Sequence, residues 1–159
     1  MEPDENLEVQ RTVNQLTFRD RSTGCVVIFN TSNSMAYDLV DFSCGNRGQG
    51  KGAQLLYRAL RWIKANLPRR EIPFRIELYP VPSAADGDLN DVERLTKYYY
   101  KLGFTLDERT RKLFILFDKL EKNLETIVNS NRGVGGKKKR KTKRRYRNLK
   151  KTRKYRHFK

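Results

Sequence analysis

Residues Gly45 to Leu56, Gly-Asn-Arg-Gly-Gln-Gly-Lys-Gly-Ala-Gln-Leu-Leu, hold four glycines in eight positions and run straight into helix-patterned sequence. Glycine has no Cβ, so its backbone turns through positive φ and approaches a ligand closely, at an entropic cost that a plain loop would avoid. Free N–H groups at a helix start, with the positive end of the helix dipole behind them, suit a phosphate or pyrophosphate. Anion binding is therefore the chemistry this stretch could do. Two other groups could do chemistry beside it. Asp38 and Asp41 lie just upstream, and Tyr98-Tyr99-Tyr100-Lys101-Leu102-Gly103-Phe104 brings three phenols to the end of a helix-patterned segment. Cys25, Cys44 and the single histidine, His157, are too few and too scattered for a zinc site or a disulfide framework, so the cysteines read as buried structural thiols.

The elements that must position these residues follow from periodicity. Tyr37 to Cys44 is an apolar, strand-like run, and Ala53, Leu56, Leu60, Ile63 and Leu67 recur at helical spacing. The order is strand, glycine loop, helix. Three nucleotide-type readings compete for it. Gly45-x4-Gly50-Lys51 fails as a P-loop, because position 52 is Gly where a Ser or Thr should hold magnesium. Gly48-x-Gly50-x-x-Ala53 fits the dinucleotide fingerprint loosely, but Glu71 falls before the next strand rather than at its end. The third reading is Arg47-x-x-Gly50-x-Gly52. It resembles the acetyl-CoA pyrophosphate loop, Q/R-x-x-G-x-G/A, of the GNAT superfamily of acetyl-CoA-dependent N-acyltransferases.

The third reading alone predicts a second motif, and Tyr99-Tyr100-Lys101-Leu102-Gly103-Phe104 is similar to the Y-x-K-L-G-F signature of the same family, one strand and one helix downstream. The resemblance covers about Leu7 to Leu120. It implies an α/β fold with a mixed, mostly antiparallel sheet of about six strands flanked by helices, and acetyl-CoA as cofactor. It also implies direct attack of a primary amine on the thioester. The cofactor-binding residues would be Phe42, Cys44, Arg47, Gly48, Gln49, Gly50, Lys51 and Gly52, with backbone N–H groups near Phe42 to Cys44 as oxyanion donors. Tyr99 is the candidate acid for the leaving thiolate, with Tyr98 and Tyr100 as rivals. Asp38 and Asp41 are candidate bases, and their separation of three predicts opposite faces of a strand, so that at most one enters the cleft.

Family members usually begin with a strand and two helices that shape the acceptor side, whereas only 46 residues precede Arg47 here. The acceptor side is therefore expected to be shortened, and either a partner chain or homodimer completes it, or it stands open, or catalysis is lost. Leu7 to Phe18 reads as one strand with a bulge or break, Cys25 to Phe29 and Met35 to Ser43 as two more, and Phe74 to Tyr79 as the strand after the helix. Pro68 stops that helix. Leu89 to Leu102 forms the next helix, Phe104 to Leu106 and Lys112 to Phe117 a closing hairpin, and Asp118 to Asn129 a last helix that either packs on the sheet or binds a partner.

The net charge of +17 is unevenly placed. Residues 137–159 hold 15 of the 35 Lys and Arg and no acid, so the rest, with 20 cations against 18 acids, carries +2. The division expected is a domain over residues 1–130 and a Gly linker with polybasic tail over 131–159. Such a tail cannot bury enough apolar surface to fold alone. Either it is a solvated tail that aids solubility or import, or it binds nucleic acid or another polyanion. Cations interleaved with Tyr146, Tyr155 and Phe158 favour the second, without base-sequence preference. In composition it resembles the basic tails of large nucleocytoplasmic DNA virus proteins, which implies a viral factory or virion. No run of 18 apolar residues and no secretory signal is present, so an intracellular protein without a membrane span is expected, in cytoplasm or nucleus.

Overall fold

The structure, a computed structural model, describes residues 4–45, 50–80 and 89–133. Its element order is β1 (Leu7–Arg11), β2 (Gln15–Asp20), β3 (Val26–Asn30), β4 (Ala36–Ser43), α1 (Lys51–Asn66), β5 (Arg75–Leu78), α2 (Leu89–Leu102), β6 (Thr105–Leu106), β7 (Leu113–Leu116) and α3 (Phe117–Gly133), with one 3-10 turn, Arg69–Glu71, before β5. One seven-stranded sheet runs in the order β1-β2-β3-β4-β5-β7-β6. Every neighbouring pair is antiparallel except β4 and β5. The α/β class and the mostly antiparallel sheet are as expected, with seven strands rather than about six.

Each turn is closed by side chains suited to it. Asn30 Oδ1 accepts from the N–H of Ser32 at 2.9 Å and Asn33 Oδ1 from that of Met35 at 2.9 Å, so the β3–β4 loop is built on Asx turns. The break read within Leu7 to Phe18 is a full hairpin. Thr12 N–H donates to Gln15 C=O at 2.9 Å, and residues 12–14 reverse the chain so that Leu7 faces Asp20. Val13 continues the alternation of Leu7 and Val9 but is 94 % exposed at the turn, because antiparallel pairing of β1 with β2 satisfies the backbone and overrides the pattern.

Strand residues alternate between two faces. Phe18, Val27, Phe29, Leu39, Ile76 and Ile115 are fully or almost fully buried in one cluster with Leu56, Leu60 and Ile63 of α1, Leu102 of α2 and Leu120 and Leu124 of α3. The last helix therefore packs on the body, against α1 and β7. Buried Glu121 ties the two helices, accepting from Lys64 Nζ at 3.0 Å. The opposite face carries half-buried Val26, Ile28, Asp38, Glu77 and Phe114.

Asp20 closes the β2–β3 turn, accepting from the Ser22 N–H at 2.8 Å and Ser22 hydroxyl at 2.6 Å, and it holds Arg58 Nη1 of α1 at 2.7 Å. Burial alone would raise its pKa, but the Ser22 hydrogen bonds and Arg58 outweigh it and bring the carboxyl down to about 2. A depressed carboxylate stabilises the fold above its unfolded value near 3.8 and loses that contribution as pH falls through about 2. Between pH 4 and pH 2 this group should cost about 1–2 kcal/mol, after discounting for solvent screening. Urea unfolding at pH 5 and pH 2.5 checks it, because Asp20→Asn should lower stability at pH 5 and flatten that part of the pH dependence.

The two cysteines do not remain thiols. Cys25 precedes β3 and Cys44 follows β4, one rung beyond the Val26–Ser43 pair, and they form a disulfide with Cα atoms 4.1 Å apart. Antiparallel register brings together residues 19 apart in sequence, which spacing alone does not show.

Candidate functional site

β4 pairs with β5 at Ala36–Arg75, Tyr37–Ile76 and Asp38–Glu77, and there the pairing stops. Leu39 to Ser43 continue beyond it with β3 on one side only. β4 also bulges, because Phe29 faces Leu39 while Ile28 faces Asp41, which leaves Val40 as the extra residue, 62 % exposed. An inserted residue reverses the alternation downstream. Asp38 and Asp41 thus lie on the same face of the sheet, not opposite faces as their spacing suggested.

At the far end of β4 the chain enters the glycine stretch. Arg47, Gly48 and Gln49 lie outside the described residues. Gly50 is the N-cap of α1 with φ 70°, a left-handed conformation that favours glycine. No side chain caps the helix, no acid stands in its first turn, and Lys51 opens it. A lysine at that end opposes the helix dipole unless an anion joins it. This N-terminus suits a bound phosphate by its own chemistry. Gly52 has a packing reason too. A Cβ there would lie 3.0 Å from the Phe42 ring and 3.3 Å from Cys44 Sγ, so helix and strand approach as closely as glycine allows.

α3 reaches the same place. A Cβ on Gly50 would lie 3.0 Å from Asn131 Nδ2, so the residues preceding the polybasic tail stand beside the glycine loop. Nothing in the periodicity of Asp118 to Asn129 indicates this; it depends on how α3 crosses α1.

α2 supplies the phenols. Phe104 N–H donates to Tyr99 C=O at 3.1 Å and Gly103, φ 100°, caps the helix, while Asn123 Nδ2 of α3 donates to Leu102 C=O at 2.8 Å. The cap turns Tyr99 inward, 5.4 Å between ring centroids from Phe104 and 5.6 Å from Tyr98. Tyr98 in turn faces Phe42 of β4 at 6.1 Å. Tyr100 is exposed and lies apart from this cluster. Burial, the Tyr98 phenol and the Asp41 carboxylate raise the pKa of Tyr99 well above an ordinary phenol, and burial pushes Tyr98 up to about 12. Tyr99 is buried, and among the described residues its hydroxyl makes no hydrogen bond.

The two aspartates differ. Asp38 accepts from Lys112 Nζ at 2.9 Å, and that bond, against the opposing effect of burial, raises the lysine pKa. Asp41 makes no such pair among the described residues and is the carboxylate that bears on Tyr99. The structure therefore gathers Asp41, Phe42, Cys44, Gly50, Gly52, Tyr98 and Tyr99 around the free end of β4, and leaves Asp38 in an ion pair.

Among the described residues no group of three His, Cys, Asp or Glu could hold a metal ion, and no helix is long and apolar enough to cross a membrane. No protein-family model matches the chain, and no curated protein matches it.

Proposed function

We propose that the chain is a GNAT-type N-acetyltransferase with acetyl-CoA as donor and a primary amine as acceptor. One observation carries this reading. β4 parts from β5 between the N-terminus of α1, which has no side-chain cap, and buried Tyr99 of α2, so that an anion site and a phenol flank the free end of one strand.

Acetyl-CoA supplies an activated thioester carbonyl. The first N–H groups of α1 and Lys51 hold its pyrophosphate, with Arg47, Gly48 and Gln49 completing the loop. Backbone N–H groups along Leu39 to Ser43 that face the missing partner strand can receive charge developing on the acyl oxygen. Asp41 accepts the proton of the amine. A phenol near pKa 10 is already a weaker acid than a thiol near 8.5, and burial widens that gap. Complete proton transfer from Tyr99 would run uphill by more than about 2 kcal/mol. Tyr99 therefore keeps its proton and donates a hydrogen bond to the departing sulfur. A protein lysine or N-terminus, a polyamine and other small amines all fit such an acceptor.

The hairpin at residues 12–14 favours a second reading. The two helices that usually follow the first strand of this family are replaced there by a three-residue turn, so the acceptor wall is either a partner chain's or absent. In the absent case the fold serves as a scaffold and the tail, Lys137 to Lys159, binds nucleic acid or another polyanion.

Calorimetric titration of acetyl-CoA decides between them, using the full-length chain with its 15 tail Lys and Arg replaced by Gln. The tail must be neutralised because it would attract the anionic cofactor without a built site. Binding near micromolar, about −8 kcal/mol, is expected, followed by amine-dependent release of CoA thiol. A folded variant that binds no acetyl-CoA would overturn the enzyme reading and leave the scaffold.

A further inference from the structure

β1 is an outer strand of the sheet, and its pairing with β2 fixes which of its backbone groups face outward. Thr12 N–H donates to Gln15 C=O at 2.9 Å and Arg21 N–H to Asn6 C=O at 3.0 Å, so the even residues from Asn6 to Thr12 carry the bonds to β2. In an antiparallel ladder the residues between them point the other way. Leu7, Val9 and Arg11 therefore present their N–H and C=O groups at the free edge. Leu7 N–H is taken by Asp4 C=O at 3.0 Å, whereas the C=O of Leu7 and both groups of Val9 and Arg11 have no backbone partner among the described residues. Edge strands are usually blunted by proline, lysine or a bulge. β1 has none of these, and it pairs with β2 over five residues in unbroken register. Its two charges are turned to partners in the same chain, Glu8 to Arg21 at 3.5 Å and Arg11 to Glu71 at 3.0 Å. The opposite edge, β6, is only two residues long and offers nothing comparable.

We propose that β1 is a docking edge for a second copy of this chain, the two β1 strands pairing antiparallel about a two-fold axis at Val9 so that two seven-stranded sheets join into one. Symmetry sets the register, because the outward groups at Leu7, Val9 and Arg11 are centred on Val9. Val9 bonds reciprocally with Val9 of the second copy, and Arg11 N–H of each copy donates to Leu7 C=O of the other. Leu7 N–H keeps its bond to Asp4.

The side chains fit the same register. On the helix side of the sheet, Val9, half-buried at the rim of the core, meets Val9 of the second copy, and Leu7 meets the aliphatic stem of Arg11. On the other side Glu8 faces Gln10, whose amide donates to a carboxylate. No like charges stand opposite one another. Five residues a side fall well short of the roughly 20–30 of a standard interface, so the dimer is weak, with a Kd on the order of 100 μM. β2 and β3 stand between β1 and β4, so the pairing leaves the free end of β4 open and supplies no acceptor wall. It holds whether or not the chain is an acetyltransferase.

Sedimentation equilibrium of the full-length chain tests this, at concentrations up to about 1 mM and in about 0.3 M salt to screen the +17 charge on each copy. A reversible monomer–dimer equilibrium is expected. Val9→Pro should weaken it at least tenfold, because the N–H of Val9 faces outward and its loss takes no bond from β2. Val9→Lys and Val9→Glu should each weaken it as much, since equal charges then meet at the axis, while an equimolar mixture of the two should associate at least fivefold more tightly than either alone. Circular dichroism and urea unfolding establish that each variant is folded, and if Val9→Pro does not fold the Lys and Glu pair decides. A folded chain that stays monomeric at the highest concentration overturns the proposal. So does a dimer that a folded Val9→Pro leaves intact, or a Lys–Glu mixture no more associated than its components.

Discussion

Gly50→Glu should abolish acetyl-CoA binding, with a loss of at least 100-fold, while Gly50→Ala should lose no more than about tenfold. Two effects are common to the variants and a third separates them. Both force an L side chain into φ 70°, which costs roughly 1–2 kcal/mol for a left-handed residue. Both place a Cβ 3.0 Å from Asn131 Nδ2, the end of a flexible side chain that can move aside. Only Glu adds a carboxylate at the N-cap of a helix that has neither a side-chain cap nor an acid in its first turn. That carboxylate satisfies the free N–H groups and the positive dipole end from within the chain, and it repels the incoming phosphate. The backbone strain is common to both variants, so the difference between them reports on the added charge. Calorimetry on tail-neutralised chains gives the affinities and urea unfolding gives the stability. Equal losses for Ala and Glu would mean that backbone strain, not an anion site, explains Gly50. Retained affinity in both would place the cofactor elsewhere or nowhere.

How much of this site the sequence shows depends on the range of the interaction. Gly50 and Gly103 are legible because each sits at a helix end, where the residue type and the required φ belong to the same position. Tyr99 is legible through its short spacing from Gly103, which fixes its side of the helix. Asp38 and Asp41 are misread because alternation is a local rule and the bulge at Val40 is imposed by pairing with β3. Val40 carries no mark of it, being an ordinary β-branched residue. The Cys25–Cys44 bond is hidden for the same reason, since two strands and one loop separate the cysteines and only the β3–β4 register brings them opposite. Spacing excluded a framework of many bridges but says little about one.

The ion pairs on the sheet face show the limit from another side. Lys112 lies between Asp38 and Glu77, and Arg75 pairs with Glu77 and stacks 4.1 Å over the Phe114 ring, so these charges are engaged within the sheet face. Sequence distance gives no hint that Asp38 is occupied. The choice of Asp41 over Asp38 as candidate base comes from the sheet, whereas Tyr99 is preferred over Tyr100 from the sequence motif itself.

The second large effect concerns the tail. The full-length chain should bind mixed-sequence duplex DNA in a strongly salt-dependent way, and the chain with Lys137 to Lys159 neutralised to Gln should lose at least 1,000-fold in affinity at 50 mM salt. The tail holds 15 cations and no acid, whereas the remainder of the chain carries only +2, so almost all of the electrostatic attraction resides in 23 residues. If six to ten of these cations displace counterions, log K should fall with log salt at a slope of about −5 to −9, which is a 10³- to 10⁵-fold loss between 50 and 200 mM. No groove-reading motif accompanies them, so scrambled duplexes should bind within about threefold of one another. Fluorescence anisotropy across a salt series measures slope and sequence dependence together. A slope shallower than about −2, or an affinity that the neutralised tail retains, would place polyanion binding on the body instead. Asn131 beside Gly50 adds one more consequence. α3, the last described element, ends next to Gly50, and any affinity for acetyl-CoA that is missing from the neutralised chain measures the tail's attraction for phosphate, not the loop's.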